Sequence, residues 1–275
     1  RGDALIKDGK DHVLTSCTSL STSNNRIAYA AAACMVGTTE TFFRKTSGTV
    51  YAYTIAGGTT TTWQATFGAS GYSLCTDGTY LYSTSSGSGQ QTVARRLVDG
   101  TGSNSTITFN STFSGPAGNQ GSGMAYHNNK LYTKEYGPDG TIYVLDMSTL
   151  NVSLITGASV GSYSDGFGIV TNAAGKTFLI EQGTTHWWYW DVDSSDTAIG
   201  TATATSGSIN NGTSGSTEYG NGFMEVAPGI CFIYTEYSDN LTIIDMNKDP
   251  VNDLSNVRAH VGNSTSRNGS VHNAY

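Results

Sequence analysis

The stretch GMAYHNNKLYTKEY (residues 123–136), followed by TIYVLDM (residues 141–147), holds the pattern that decides the fold. A short apolar run leads into a turn, a second apolar-aromatic run leads out of it, and a third strand ends at Asp146. The phrase recurs with variations as GYSLCTDGTYLYSTSS (71–86), GFGIVTNAAGKTFLIEQ (166–182) and GFMEVAPGICFIYTEY (222–237). Each copy has its own third strand, RRLVDG (95–100), WWYWDVD (187–193) or LTIIDM (241–246). Copies about 40–50 residues apart, with about four strands each, mark an array of small sheets rather than one continuous sheet.

Working outward, four units can be laid out as four strands each, over residues 71–112, 123–157, 166–206 and 222–262. The runs RIAYAAAA, TTETFFRKT, GTVYAYTI and TTTWQAT fit a fifth unit at 26–67. In Thr141-Ile142-Tyr143-Val144-Leu145-Asp146 nearly every position is apolar, as a strand buried on both faces requires. This pattern resembles the β-propeller superfamily over most of the chain, through the Gly that opens each inner strand and the Asp after the third. The resemblance implies an all-β, single-domain β-propeller over residues 1–275, with six four-stranded blades expected and five or seven as alternatives. About one blade of sequence remains, divided between the first 25 residues and the last dozen. Both chain ends are expected to meet in one sheet, which removes the edge an open array would leave.

Charged residues make up 13% of the chain against roughly 25% in an average soluble domain. Gly, Ser, Thr, Asn and Tyr take their place, a mix suited to strands joined by tight turns. The net charge of −7 reflects scarce Lys and Arg. No dense basic stripe is present to displace counterions, so no nucleic-acid partner is expected. The longest uncharged apolar stretch, Ala28 to Val36, is under half of the ~18–20 residues that span a bilayer, so the chain is not expected to be membrane-embedded.

The Ser/Thr/Asn richness and low Lys content point to a secreted, extracellular or cell-surface protein. Seven Asn-X-Ser/Thr sequons, at Asn104, Asn110, Asn151, Asn211, Asn240, Asn263 and Asn268, are expected to be exposed and are glycosylation candidates; the first three lie at or beside outer strands. Four cysteines, Cys17, Cys34, Cys75 and Cys231, allow three fully paired arrangements. A local Cys17–Cys34 bridge is the simplest. Pairing Cys34 with Cys75 and Cys17 with Cys231 joins neighbouring blades, and buried free thiols are a third possibility. No Cys or His spacing suggests zinc, so no metal site is assigned. No cofactor is implied, although a structural cation such as calcium is compatible with the carboxylates.

Two polar positions recur. Asp99, Asp146, Asp191 and Asp245 follow the third strands, where a carboxylate accepts hydrogen bonds from the backbone of the next turn; they are read as structural. Glu135, Glu181 and Glu236 fall near the ends of second strands. Equivalent positions in successive blades would share one rim, so these carboxylates are candidates to bind a cation or orient sugar hydroxyls. The run HWWYWD (186–191) is the densest aromatic stretch, and strand alternation separates Trp187 and Tyr189 from Trp188 and Trp190. Trp187 and Tyr189 are candidates to stack on sugar rings.

No Gly-x-Ser-x-Gly elbow, HExxH, Walker loop or dinucleotide fingerprint occurs in a fitting context, so the reading leans away from an enzyme and no catalytic residue is assigned. The expectation is a secreted, N-glycosylated, non-catalytic structural or interaction module, partnered by itself or by another extracellular protein or glycan. Self-assembly would run through terminal strands that one copy lends to the next. The alternative is a carbohydrate-binding or carbohydrate-cleaving propeller that uses the glutamates and aromatics.

Overall fold

The computed structural model describes residues 5–7, 11–13, 18–21, 30–46, 48–54, 61–68, 73–115, 123–134, 141–155, 166–182, 187–192, 203–205, 220–235, 241–247, 258–261 and 270–273. Among them there are strands and turns but no helix. Strands β1 (Leu5–Lys7) and β2 (Asp11–Val13) form a hairpin, and β3 (Thr18–Ser21) follows. The first blade is β4 (Ala30–Val36), β5 (Thr39–Thr46), β6 (Thr49–Thr54) and β7 (Thr61–Thr66). The second is β8 (Cys75–Thr76), β9 (Tyr80–Thr84), β10 (Gly87–Leu97) and β11 (Ser105–Gly115). The third is β12 (Met124–His127), β13 (Lys130–Lys134), β14 (Ile142–Asp146) and β15 (Val152–Ile155). The fourth is β16 (Gly166–Thr171), β17 (Thr177–Gln182), β18 (Trp187–Val192) and β19 (Thr203–Thr205). The fifth is β20 (Gly220–Ala227), β21 (Ile230–Thr235), β22 (Leu241–Asp245) and β23 (Arg258–Val261), after which β24 (Ser270–Asn273) pairs with β3.

Each blade is a four-stranded antiparallel sheet with its strands in chain order. The inner strands β4, β8, β12, β16 and β20 follow one another in space, and β20 lies against β4. The described strands thus include five four-stranded blades whose inner strands are neighbours in space. The expected sixth blade is not formed among them. The chain ends do meet, through β3 and β24, but as a two-stranded pair separate from β1–β2.

The apolar strands bury both faces because each blade has a neighbour on either side. Between the first and second blades Phe43, Val50, Phe67, Leu74, Leu81 and Val98 form one core, with Trp63 packed on its margin. Between the second and third, Cys75, Tyr82, Val93, Phe113, Met124 and Leu145 form another, and the Tyr82 and Tyr126 rings stack with centroids 6.2 Å apart. Burying an aliphatic or aromatic side chain of this size contributes about 1.5–3 kcal/mol, so these inter-blade layers dominate the stability. The turn between β12 and β13 holds Asn128 at φ 51° and Asn129 at φ 61°. Two successive left-handed residues give the turn that suits a twisted hairpin, and Asn tolerates that backbone better than bulkier residues.

The recurrent Asp shapes the turn between third and fourth strands. Asp99 accepts the Thr101 N–H at 2.8 Å, Asp146 those of Ser148 and Thr149 at 2.8 and 3.0 Å, and Asp245 that of Asn247 at 3.0 Å. The side chain of Asp191 lies outside the described residues. These bonds hold the carboxyls of Asp99 and Asp146 below the usual carboxylate range, chiefly through the Thr101 hydroxyl for Asp99 and the Thr149 amide for Asp146.

The turns so formed grip the preceding blade. Asn104 donates from Nδ2 to the Thr66 carbonyl at 2.6 Å, and Trp63 lies over Gly100 and Arg96. Asn110 in β11 donates its backbone N–H to the Leu150 carbonyl at 2.8 Å. Asn172 Nδ2 donates to the Met246 carbonyl at 3.3 Å, and Asn247 Oδ1 accepts the Ala173 N–H at 2.8 Å. Antiparallel order puts these turns on one rim, together with the turns between first and second strands. The opposite rim carries the second-to-third-strand turns and the connections between blades.

Candidate functional site on the connecting-loop rim

Loops on a rigid scaffold are where binding sites concentrate, which directs attention to the second rim. The sequence pointed there through Glu135, Glu181 and Glu236. Glu135 and Glu236 lie outside the described residues. Glu181 sits in β17, opposite Phe167 of β16 and Trp188 of β18.

The three glutamates stand at different sequence offsets from the rung that pairs with each inner-strand glycine. Gly166 pairs with Gln182 and Gly222 with Tyr234, while the Met124–Thr133 pair puts Gly123 level with Lys134. Lys134, Gln182 and Tyr234 are therefore the corresponding residues. Glu181 falls one residue before that position, Glu135 one after it and Glu236 two after it. Trp187 pairs with Gln182 and Tyr189 with Ile180, so both are out of step with Glu181, whose partner is Trp188.

At or next to the ends of the second strands in the first three blades lie Lys45, Thr84 and Lys134. All are enclosed: Lys45 is 0% and Lys134 1% exposed. Burial pushes the Lys45 ammonium down to about 7. Sequence reasoning passed over both lysines, although each is a cation written into a strand beside Phe42-Phe43 or Leu131-Tyr132. Beside Thr84 lies a closed hydroxyl cluster. Ser73 Oγ is 3.0 Å from Thr84 Oγ1 and accepts the Thr84 N–H at 2.9 Å, while Ser83 Oγ donates to the Ser73 carbonyl at 2.7 Å. A Cβ at Gly115 would come within 2.2 Å of the Ser85 carbonyl oxygen, so β11 can approach this rim only without a side chain there. These groups fix the backbone where the second blade enters the ring.

Cys34 is half-buried and Cys75 buried, and both carry free thiols. They pack on opposite sides of the second blade, Cys34 against the Phe43–Leu81 core and Cys75 within the Tyr82–Phe113 core. That separation accounts for the absence of a bond between them. Burial raises both thiols, Cys75 the further. Cys17 lies outside the described residues, as does the side chain of Cys231, whose backbone in β21 pairs with Glu225. Of the sequons, Asn104, Asn110 and Asn151 are exposed on the described surface, and Asn211, Asn240, Asn263 and Asn268 lie outside the described residues.

No protein-family model and no curated protein matches the chain. Solved structures do. The luciferin-regenerating enzyme superposes with a TM-score of 0.57 at 12% identity, covering 90% of this chain and 80% of its own. The nidogen of a nidogen/laminin complex gives 0.54 at 12%, covering 88% and 82%. Virginiamycin B lyase from Staphylococcus aureus gives 0.52 at 11%, covering 92% and 90%. The chain also spans 64% of the length of a match from Kuenenia stuttgartiensis hydrazine synthase. The chain is a β-propeller. At these identities the likeness establishes the fold alone, and the same fold serves a complex-forming protein and a lyase.

Proposed function

We propose that the chain is an extracellular, N-glycosylated propeller that acts as a non-catalytic structural or interaction module and joins copies of itself through its terminal strands. The observation that carries this reading is the β3–β24 pair. Among the described residues neither strand has a second partner in a sheet. A two-stranded sheet is marginal in water, and each open edge is a row of backbone donors and acceptors that templates a further strand. A strand supplied by another copy would complete it by β-augmentation, and a head-to-tail contact of this type propagates. The nidogen/laminin complex offers a precedent for a propeller that engages another protein, as fold analogy only.

Sedimentation over a range of concentrations tests the reading. The full chain is expected to shift to larger species as concentration rises. Val271→Pro removes one backbone donor from β24 and should weaken association by about tenfold, the equivalent of one ladder hydrogen bond. Equal assembly by the variant would remove the terminal strands from the account.

A further inference from the structure

The three described sequons differ in what their amide nitrogens are doing, and that difference selects a modification site. We propose that Asn151 is the principal N-glycan acceptor among them and that Asn110 stays unmodified, an inference that rests on the secretory reading above.

An amide nitrogen carries two N–H groups. Asn110 uses both: Nδ2 donates to the Thr149 carbonyl at 3.2 Å and to Asn151 Oδ1 at 3.1 Å. Its backbone N–H is held by the Leu150 carbonyl at 2.8 Å. The local strand geometry explains how Asn110 gets there. β10 and β11 pair at Thr92–Thr108 and again at Gln90–Phe113, so residues 109–112 of β11 stand against a much shorter stretch of β10. That irregularity turns Asn110 from its own blade towards the third. A sugar on Nδ2 would replace one of the two N–H groups and point directly at an acceptor about 3 Å away.

Asn151 sits across the same blade junction with the opposite commitments. Its Oδ1 accepts from Asn110, its backbone N–H donates to Thr149 Oγ1 at 3.3 Å, and its carbonyl accepts the Asp146 N–H at 3.0 Å. Its Nδ2 has no acceptor among the described residues, and the residue is exposed. Asn104 is intermediate. One N–H goes to Thr66, and Oδ1 accepts from Arg96 Nη1 at 3.1 Å. In the transfer, Nδ2 attacks C1 of a lipid-diphosphate-linked sugar; the N–C1 bond forms, the lipid diphosphate leaves with the electrons of the C1–O bond, and Nδ2 loses one proton. At Asn151 that product leaves every blade-joining hydrogen bond in place, at Asn104 it does so only when the sugar replaces the N–H not given to Thr66, and at Asn110 it cannot.

The test is to pass the full chain through a eukaryotic secretory pathway, recover the folded fraction from the medium and map occupancy. Enzymatic glycan release in heavy-oxygen water marks each formerly modified Asn as labelled Asp. Asn151 should be the most occupied of the three and Asn110 the least, by about tenfold or more, because a bound sugar at Asn110 costs a latch hydrogen bond. Asn151→Gln should remove one glycan from the intact mass and Asn110→Gln none. A bare Asn151, or an Asn110 as occupied as Asn151, overturns the proposal, and the wild-type map decides even where Asn110→Gln fails to fold. Locating the native protein inside or outside its source cell tests the secretory reading separately.

Discussion

Replacing Gly100 by alanine should cost the fold about 3 kcal/mol, read as a lower urea midpoint with an unchanged slope. Gly100 lies in the turn after β10 at φ +78°, a backbone that an L side chain adopts at a cost of about 1–2 kcal/mol. An added Cβ would also meet three Trp63 ring atoms at 2.7, 2.7 and 2.9 Å. Displacing an indole packed between blades adds about 1–3 kcal/mol. Trp63 has little freedom to give way, with Phe43 at 5.9 Å on one side and the Arg96 guanidinium 5.8 Å from its ring. Arg96 itself donates to the Gly100 carbonyl at 2.7 Å. The Trp63→Ala background separates the two contributions. There Gly100→Ala should retain the backbone cost and lose the steric one, a coupling that a double-mutant cycle measures. Equal effects in both backgrounds would show that the ring contact carries none of the cost.

The second large effect is a pH dependence at Lys45. Unfolded, its amine titrates near its ordinary value of 10.5; folded, burial brings it to about 7. Between those values the unfolded chain binds more protons, so stability rises with pH. The thiols of Cys34 and Cys75 act in the opposite sense above about pH 9, because they are raised from 9.0 in the folded state. Tyr82, raised by burial and by its hydrogen bond to Asp77, does the same above pH 10. Among the described groups with a shifted pKa, the lysine is the one that dominates from pH 7 to 8.5, and the expected gain across that window is about 1.5 kcal/mol. Methionine matches the unbranched stem without the charge, so Lys45→Met should be more stable than wild type at pH 7 and flat across the window. A wild-type curve equally flat would show that the ammonium is solvated in the folded state.

The sequence carried the blades because the information is local. Apolar strands, two-residue turns such as Asn128-Asn129 and the Asp after each third strand all act within a dozen residues. It carried the role of that Asp for the same reason: Asp146 folds its own turn. The contact of β20 with β4 was not legible, since it joins strands separated by most of the chain. The rungs on which the glutamates fall are set by turn lengths that differ between blades. His127 and Lys130 enclose a two-residue turn, Thr171 and Thr177 enclose residues 172–176, and the β20–β21 pairing shifts between Glu225 and Ala227. Counting from the strand's appearance in sequence therefore lands on different rungs. The blade latches were invisible because Asn104, Asn110 and Asn247 look like ordinary turn residues until a neighbouring blade supplies the acceptor.

Assembly through the terminal strands is tested most directly by imaging the purified full chain by electron microscopy at several concentrations. The account predicts chains of propellers joined end to end, with a strand of one copy continuing the β3–β24 pair of its neighbour. Single, separate propellers at every concentration, with both ends intact, would contradict it.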